Sequence, residues 1–290
     1  MSVPRRRLLA AFALAVALTA ARRADAEPAS DARSVDLAFV LLSEPRMPKP
    51  QEVERAFASF ALPGQTLRQT PGKPTKSTKR GGDDALAFEL GGGRVAFVSL
   101  VPVAIPNREA DDAVRFSVSA LGGRWRLPPH EAHLVVTIPG APASAEALSL
   151  FTSVVAGVVA AAPAVGVYWG DAGATHDPKF FLEIARERDA TARLALWSGV
   201  SIAREPDGRL SFLSLGMRQL ALPDLWLVVP AAKGDDALAT LFDLLGSVVK
   251  RGRAPPEGDT VGPSDRERWP VHYVPSPVGG KAKVWRVELK

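Results

Sequence analysis

The chain has no cysteine, and only four histidines, three methionines and two tyrosines among its 290 residues. Without a thiol there is no disulfide, no thiolate nucleophile, no thiolate zinc site and no lipid-anchor cysteine. An excess of one charge is missing too, once the chain is divided. The net charge is +5, but residues 1–26 hold five arginines and one aspartate, a net of +4, so the rest of the chain is left at +1. Binding to nucleic acid requires a concentrated positive face, so a nucleic-acid partner is not expected. No cofactor motif stands out either, and no cofactor is expected. Gly91-Gly92-Gly93 lacks the following Lys-Ser/Thr of a phosphate loop, and Ser198 lacks the glycine frame of a nucleophile elbow.

What is present at the start is an export pattern. Arg5, Arg6 and Arg7 precede a short apolar run over residues 8–18, and Ala24-Asp25-Ala26 places small residues where a signal peptidase reads. Residues 1–26 are therefore expected to be a signal peptide and 27–34 a short linker. The loose twin-arginine pattern at residues 4–9 suggests that route. The protein is expected to be exported to the periplasm or beyond, with no integral membrane span after cleavage, because the run is too short to cross a bilayer convincingly. A Lys-rich stretch over residues 65–84 reads as a surface loop.

The rest, residues 35–290, reads as one αβ domain built around residues 133–171. A buried strand over 134–138 closes at Pro139-Gly140, and Ser144 caps a strongly apolar helix that Pro163 ends. A second strand follows over 165–169. Leu148, Phe151, Val155, Val158 and Val159 share one helix face, with Ser149, Thr152, Ser153 and Ala156 on the other. Before this unit come a strand (35–42), a helix (51–60), a hairpin around Gly91-Gly92-Gly93 and a helix (108–121). After it come a helix from Pro178 capped by Asp177, and a hairpin of 194–202 with 209–215 around Pro206-Asp207-Gly208. A strand over 225–229, a helix capped by Asp235 or Asp236, and edge-like strands over 271–274 and 284–289 complete the chain. The expected class is α+β: two ferredoxin-like αβ halves, about 35–139 and 140–290, with mixed, mainly antiparallel sheet around an apolar central helix.

HLVVTI, the apolar helix, GVYW, His176-x-Pro178 with Phe181, and the closing GDTVGPSDRERWPVHYVPSP and VWRVEL together resemble the bacterial family catalogued as domain of unknown function 4261. The likeness spans roughly residues 35–289 and departs from the family pattern over 213–227. It implies an αβ fold and a role not assigned for the family.

Of the four histidines, His130 and His133 lie three apart in HEAH, where strand alternation would turn them to opposite faces, unlike His-Glu-x-x-His on a helix. His176 sits with Asp171 and Asp177 in a loop leaving a buried strand, where αβ proteins place binding groups. Such a His-carboxylate cluster can hold a metal or act as a general base. Two expectations follow. The first is an exported, non-catalytic domain that binds a protein or envelope component. The second is an envelope hydrolase or metal-dependent enzyme centred on residues 170–178, with His176, Asp171 and Asp177 as its candidate groups.

Overall fold

The central unit forms from local signals and is then rearranged by long-range pairing. In a computed structural model describing residues 34–70, 85–264 and 267–290, the unit is β5 (Ala132–Ala141), α2 (Ala145–Ala161) and β6 (Ala164–Trp169). The export segment and most of the Lys-rich loop lie outside the described residues. Ser144 caps α2, its Oγ accepting from the Ala147 amide at 3.2 Å. Every residue from Ala147 to Val159 is buried, so the helix has no solvent face. Its hydroxyls meet other elements instead: Thr152 Oγ1 accepts from Trp197 Nε1 at 2.8 Å, and Ser153 Oγ donates to Phe60 O at 2.9 Å. The two strands are not neighbours. β1 (Ser34–Leu42) lies between β5 and β6, antiparallel to both, which makes a split β-α-β unit.

β2 (Leu67–Gln69), β3 (Ala85–Leu90), β4 (Arg94–Val101) and β7 (Ala174–His176) extend this sheet in the order β2-β3-β4-β5-β1-β6-β7, antiparallel throughout. The β3–β4 hairpin turns on Gly92 and Gly93 at φ of 78° and 74°, where a side chain would be strained. Helix α1 (Pro50–Phe57) lies across α2, and a Cβ on Gly157 would stand 3.1 Å from Phe57 Cβ, so glycine lets the two helices approach closely there. The helix expected over 108–121 is instead a series of short turns: Pro106–Arg108, Glu109–Asp112, Ala113–Phe116 and Val118–Gly123. Asn107 and Arg108 are left-handed, at φ of 58° and 57°, and Ser117 and Leu121 are extended, so no helix can run through them.

Past β7 come α3 (Pro178–Ala185), α4 (Ala190–Trp197), β8 (Gly199–Arg204), β9 (Leu210–Leu215), β10 (Leu225–Val229) and α5 (Gly234–Arg251). β11 (Thr260–Ser264), β12 (Glu267–Pro275) and β13 (Lys283–Glu288) close the chain. The second sheet has the order β11-β12-β13-β10-β9-β8, antiparallel except for the β10–β13 pair. Three expectations are corrected here. Residues 194–197 are helix, because Asp189 caps α4 by accepting from the Thr191 amide at 2.9 Å. Asp235 and Asp236 sit inside the first turn of α5, which begins after Lys233 without a side-chain cap. β13 is an interior strand, paired on both sides.

The architecture is α+β with two mainly antiparallel sheets around the apolar helix. The change of sheet falls between His176 and Gly199, later than residue 139, because β6 and β7 pair into the first sheet. One apolar core runs through both sheets, from Ala38 to Leu289, and Phe151 and Val155 at its centre are fully buried. Among the described residues no helix is long and apolar enough to cross a membrane.

Candidate functional site

The loop after β6 turns back at once: Gly170 donates to Leu37 O at 3.2 Å, and β7 pairs against β6, so His176 stands opposite Val167 as a strand residue. Its ring is fully buried. Leu196 O, 3.1 Å from Nε2, can only accept, so Nε2 carries the proton; Nδ1 then accepts from Ser117 Oγ at 2.7 Å. Burial pushes the imidazole down to about 4, so it is neutral near pH 7. The Ser117–His176 contact has the spacing of a nucleophile and its base. Both residues are fully buried, however, and sealed from solvent.

The two aspartates turn elsewhere. Asp177 caps α3 by accepting from the Lys179 amide at 3.0 Å. Asp171 lies at the surface, gripped by Arg218 with Nη2 at 2.8 Å and Nε at 3.2 Å. Arg218 is placed by the turn at Gly216, where a Cβ would come within 2.8 Å of Ala172 Cα. The three sequence candidates are therefore close in the chain, in a turn, on a strand and at a helix cap, without sharing a site. Among the described residues, no group of three or more His, Asp or Glu side chains is placed to hold a metal ion.

One acid the sequence reading passed over lies at the same end of the sheet. Asp36 on β1 is 2% exposed, and its Oδ2 has no hydrogen-bond partner. Burial, and then the like charge of Asp171, push its carboxyl up to about 7; Arg94 opposes the shift. Arg94 and Glu146 also line a depression of about 560 Å³, floored by Gly91, Leu62 and Leu150. The only trace of this in the sequence is one acid inside the apolar run 35–42. A carboxyl that titrates near neutrality can give or take a proton. No nucleophile is hydrogen-bonded to it.

The outer face of the first sheet offers a different surface. Residues 105–127 cover Leu41 and Tyr168, with Phe39 partly buried beside them. Among the described residues, no segment covers the half toward β3 and β4. Phe97 is 42% exposed there, in a cross-strand row with Ala87, Thr137 and Leu37, all half-buried. His130 and His133 both act at this face and not on opposite sides: His130 Nε2 accepts from the Ile105 amide at 3.2 Å, and His133 Nδ1 donates to Val103 O at 2.8 Å. The tryptophans are structural. Trp169 is buried and donates to Gln219 Oε1 at 2.8 Å, while Trp226 is covered by the Arg286 guanidinium, 4.5 Å from the ring centre.

Among the described residues, fold and surface define a two-sheet α+β protein with a half-covered apolar sheet face and, in Asp36, an orphaned buried carboxyl oxygen. No family model matches the chain, and neither a curated protein nor a solved structure does.

Proposed function

We propose that this is an exported, non-catalytic binding domain that engages a protein or another envelope component through the open half of the first sheet's outer face. The carrying observation is Phe97, 42% exposed in a mostly apolar sheet row with Ala87, Thr137 and Leu37 that no described segment covers. The arginine-led apolar run of residues 5–18 supports export, and the likeness to domain of unknown function 4261 is retained as part of the proposal. Two polar groups that would most readily suggest catalysis, His176 and Ser117, are spent on each other inside the core.

The test is site-specific photocrosslinking in exporting cells from position 97, with Val278, 64% exposed and outside the sheet face, as the control. A discrete adduct from 97 that is absent from 278 supports the reading. Equal adducts, or none from 97, defeat it. A hydrolase reading draws on one observation, the near-neutral carboxyl of Asp36 beside Asp171. It requires a turnover on ester, amide or phosphoester substrates that Asp36→Asn abolishes.

A further inference from the structure

Residues 103–127 cross the outer face of the first sheet as a strap whose apolar side, Ile105, Ala110, Ala113 and Leu127, packs on Leu41 and Tyr168. Side chains of the sheet and its entry hold the leading part down. His133 donates to Val103 O at 2.8 Å, His130 accepts from the Ile105 amide at 3.2 Å, and Tyr168 Oη donates to Glu109 Oε1 at 2.7 Å. Further along, Thr175 Oγ1 donates to Ala110 O at 2.6 Å and Ser117 bonds His176.

These contacts differ in their response to acid. A backbone amide can only donate, so His130 Nε2 holds Ile105 through its lone pair. Protonation of that nitrogen turns the acceptor into a donor and sets a positive ring against the amide. The contact from Thr175 does not titrate. Asp111 on the strap faces His130 and favours its protonation; the charge of His130 in turn lowers His133 on β5, and Glu109 and Asp171 raise Tyr168. Burial lowers both histidines. His130 is only half-buried, so protons reach it. Between the Ile105 and Glu109 contacts stand Asn107 and Arg108, consecutive non-glycine residues at φ of 58° and 57°, whose strained backbone favours release once the Ile105 contact is lost.

We propose that HEAH is a proton-operated latch: protonation of His130 releases the Ile105 amide, loosens residues 104–108 between the Val103 and Glu109 contacts that acid leaves in place, and extends the apolar surface that begins at Phe97 toward Leu41 and Tyr168. Residues 110–127 stay in place, held by Thr175. The latch goes beyond the binding reading and stands or falls independently of what the face binds.

Amide hydrogen exchange read by mass spectrometry on the full chain tests this, at about pH 7.5 and about pH 5, either side of the ordinary histidine value. After correction for intrinsic rates, peptides covering 104–108 exchange about three- to tenfold faster in acid, the factor that loss of one hydrogen bond gives. Peptides from α2 and from 110–127 do not change. The readout is the acid-to-neutral ratio in His130→Gln, whose side-chain carbonyl can accept from Ile105 but does not titrate. Loss of the ratio in that variant supports the latch, whether or not its strap is looser overall. A ratio unchanged from wild type, no rise in wild type, or opening of α2 together with the strap overturns it.

Discussion

Two buried groups pull stability in opposite directions as pH changes, and separating them tests the electrostatics of the fold. The His176 imidazole is pushed down to about 4, so between there and its unfolded value the unfolded chain binds the extra proton. Its stability is fully present above about pH 6.5 and lost toward pH 4, a swing of about 3 kcal/mol at 1.36 kcal/mol per unit. Asp36 is the reverse, because its carboxyl is pushed up to about 7 and the folded state holds the proton longer. Stability is present below about pH 3.8 and lost as pH rises through 7, a swing of about 4 kcal/mol by the same arithmetic. His130 and His133, both lowered, act with His176, and Asp224, pushed up to about 6, acts with Asp36. The wild-type profile from about pH 4 to 7 is therefore a sum of opposing slopes that single-residue variants must separate. Urea unfolding by tryptophan fluorescence across that range, taken as difference curves, isolates each group. Asp36→Asn gains stability relative to wild type as pH rises, and His176→Gln loses its relative advantage over the same interval, whatever its absolute offset. Difference curves that are flat, or that share a sign, refute the assignment of these two groups.

Arg193 is fully buried and bonded only to carbonyls: Glu187 O and Ala185 O at 2.7 Å, Ser149 O at 2.9 Å and Phe60 O at 3.4 Å. Ser153 also serves Phe60 O and Ser149 O, so Arg193→Met strands chiefly two carbonyls and costs about 2–4 kcal/mol, whereas Arg193→Lys keeps a buried charge it cannot satisfy and costs at least as much. Guanidinium unfolding decides this, and a lysine variant within about 1 kcal/mol of wild type sinks it. Gly216→Ala places a Cβ 2.8 Å from Ala172 Cα at a φ of 105°; its midpoint falls, by about 2 kcal/mol or more, and the Asp171–Arg218 contact is lost. An alanine there that unfolds with the wild-type midpoint contradicts the close approach of the two segments.

Much of the fold was written locally. The central helix carried its cap, its apolar density and its proline stop, and 225–229 and the glycine-turned hairpin carried their strands. The parts that were not legible depend on distant partners. Helix α4 comes from a short apolar run that local pattern cannot tell from a strand, and the Asp189 cap, with burial against α2, α3 and α5, decides it. The strap breaks at Asn107 and Arg108 because contacts from Tyr168 and Thr175 fix its path over the sheet. Insertion of β1 between β5 and β6 is a pairing across about a hundred residues, and no local signal specifies it.

The candidate site shows the same division more sharply. A histidine among aspartates after a buried strand resembles chemistry, yet composition does not say whether the ring's two nitrogens are free. In His176 both are used, one by Ser117 and one by Leu196 O, and burial keeps the ring neutral. Asp36 looked like an ordinary strand residue, yet its carboxyl keeps a buried oxygen without a partner. Leaving such a group unmatched costs about 1–3 kcal/mol or more, so it persists only where the surrounding fold over-determines it or where it has work to do. The HEAH histidines fall between these cases. Each spends one nitrogen on the strap, and His130 does so through a lone pair that acid removes. Hydrogen-bond direction therefore separates these residues better than residue type: a lone pair sealed in the core is structure, and one held against a backbone amide within reach of protons can switch.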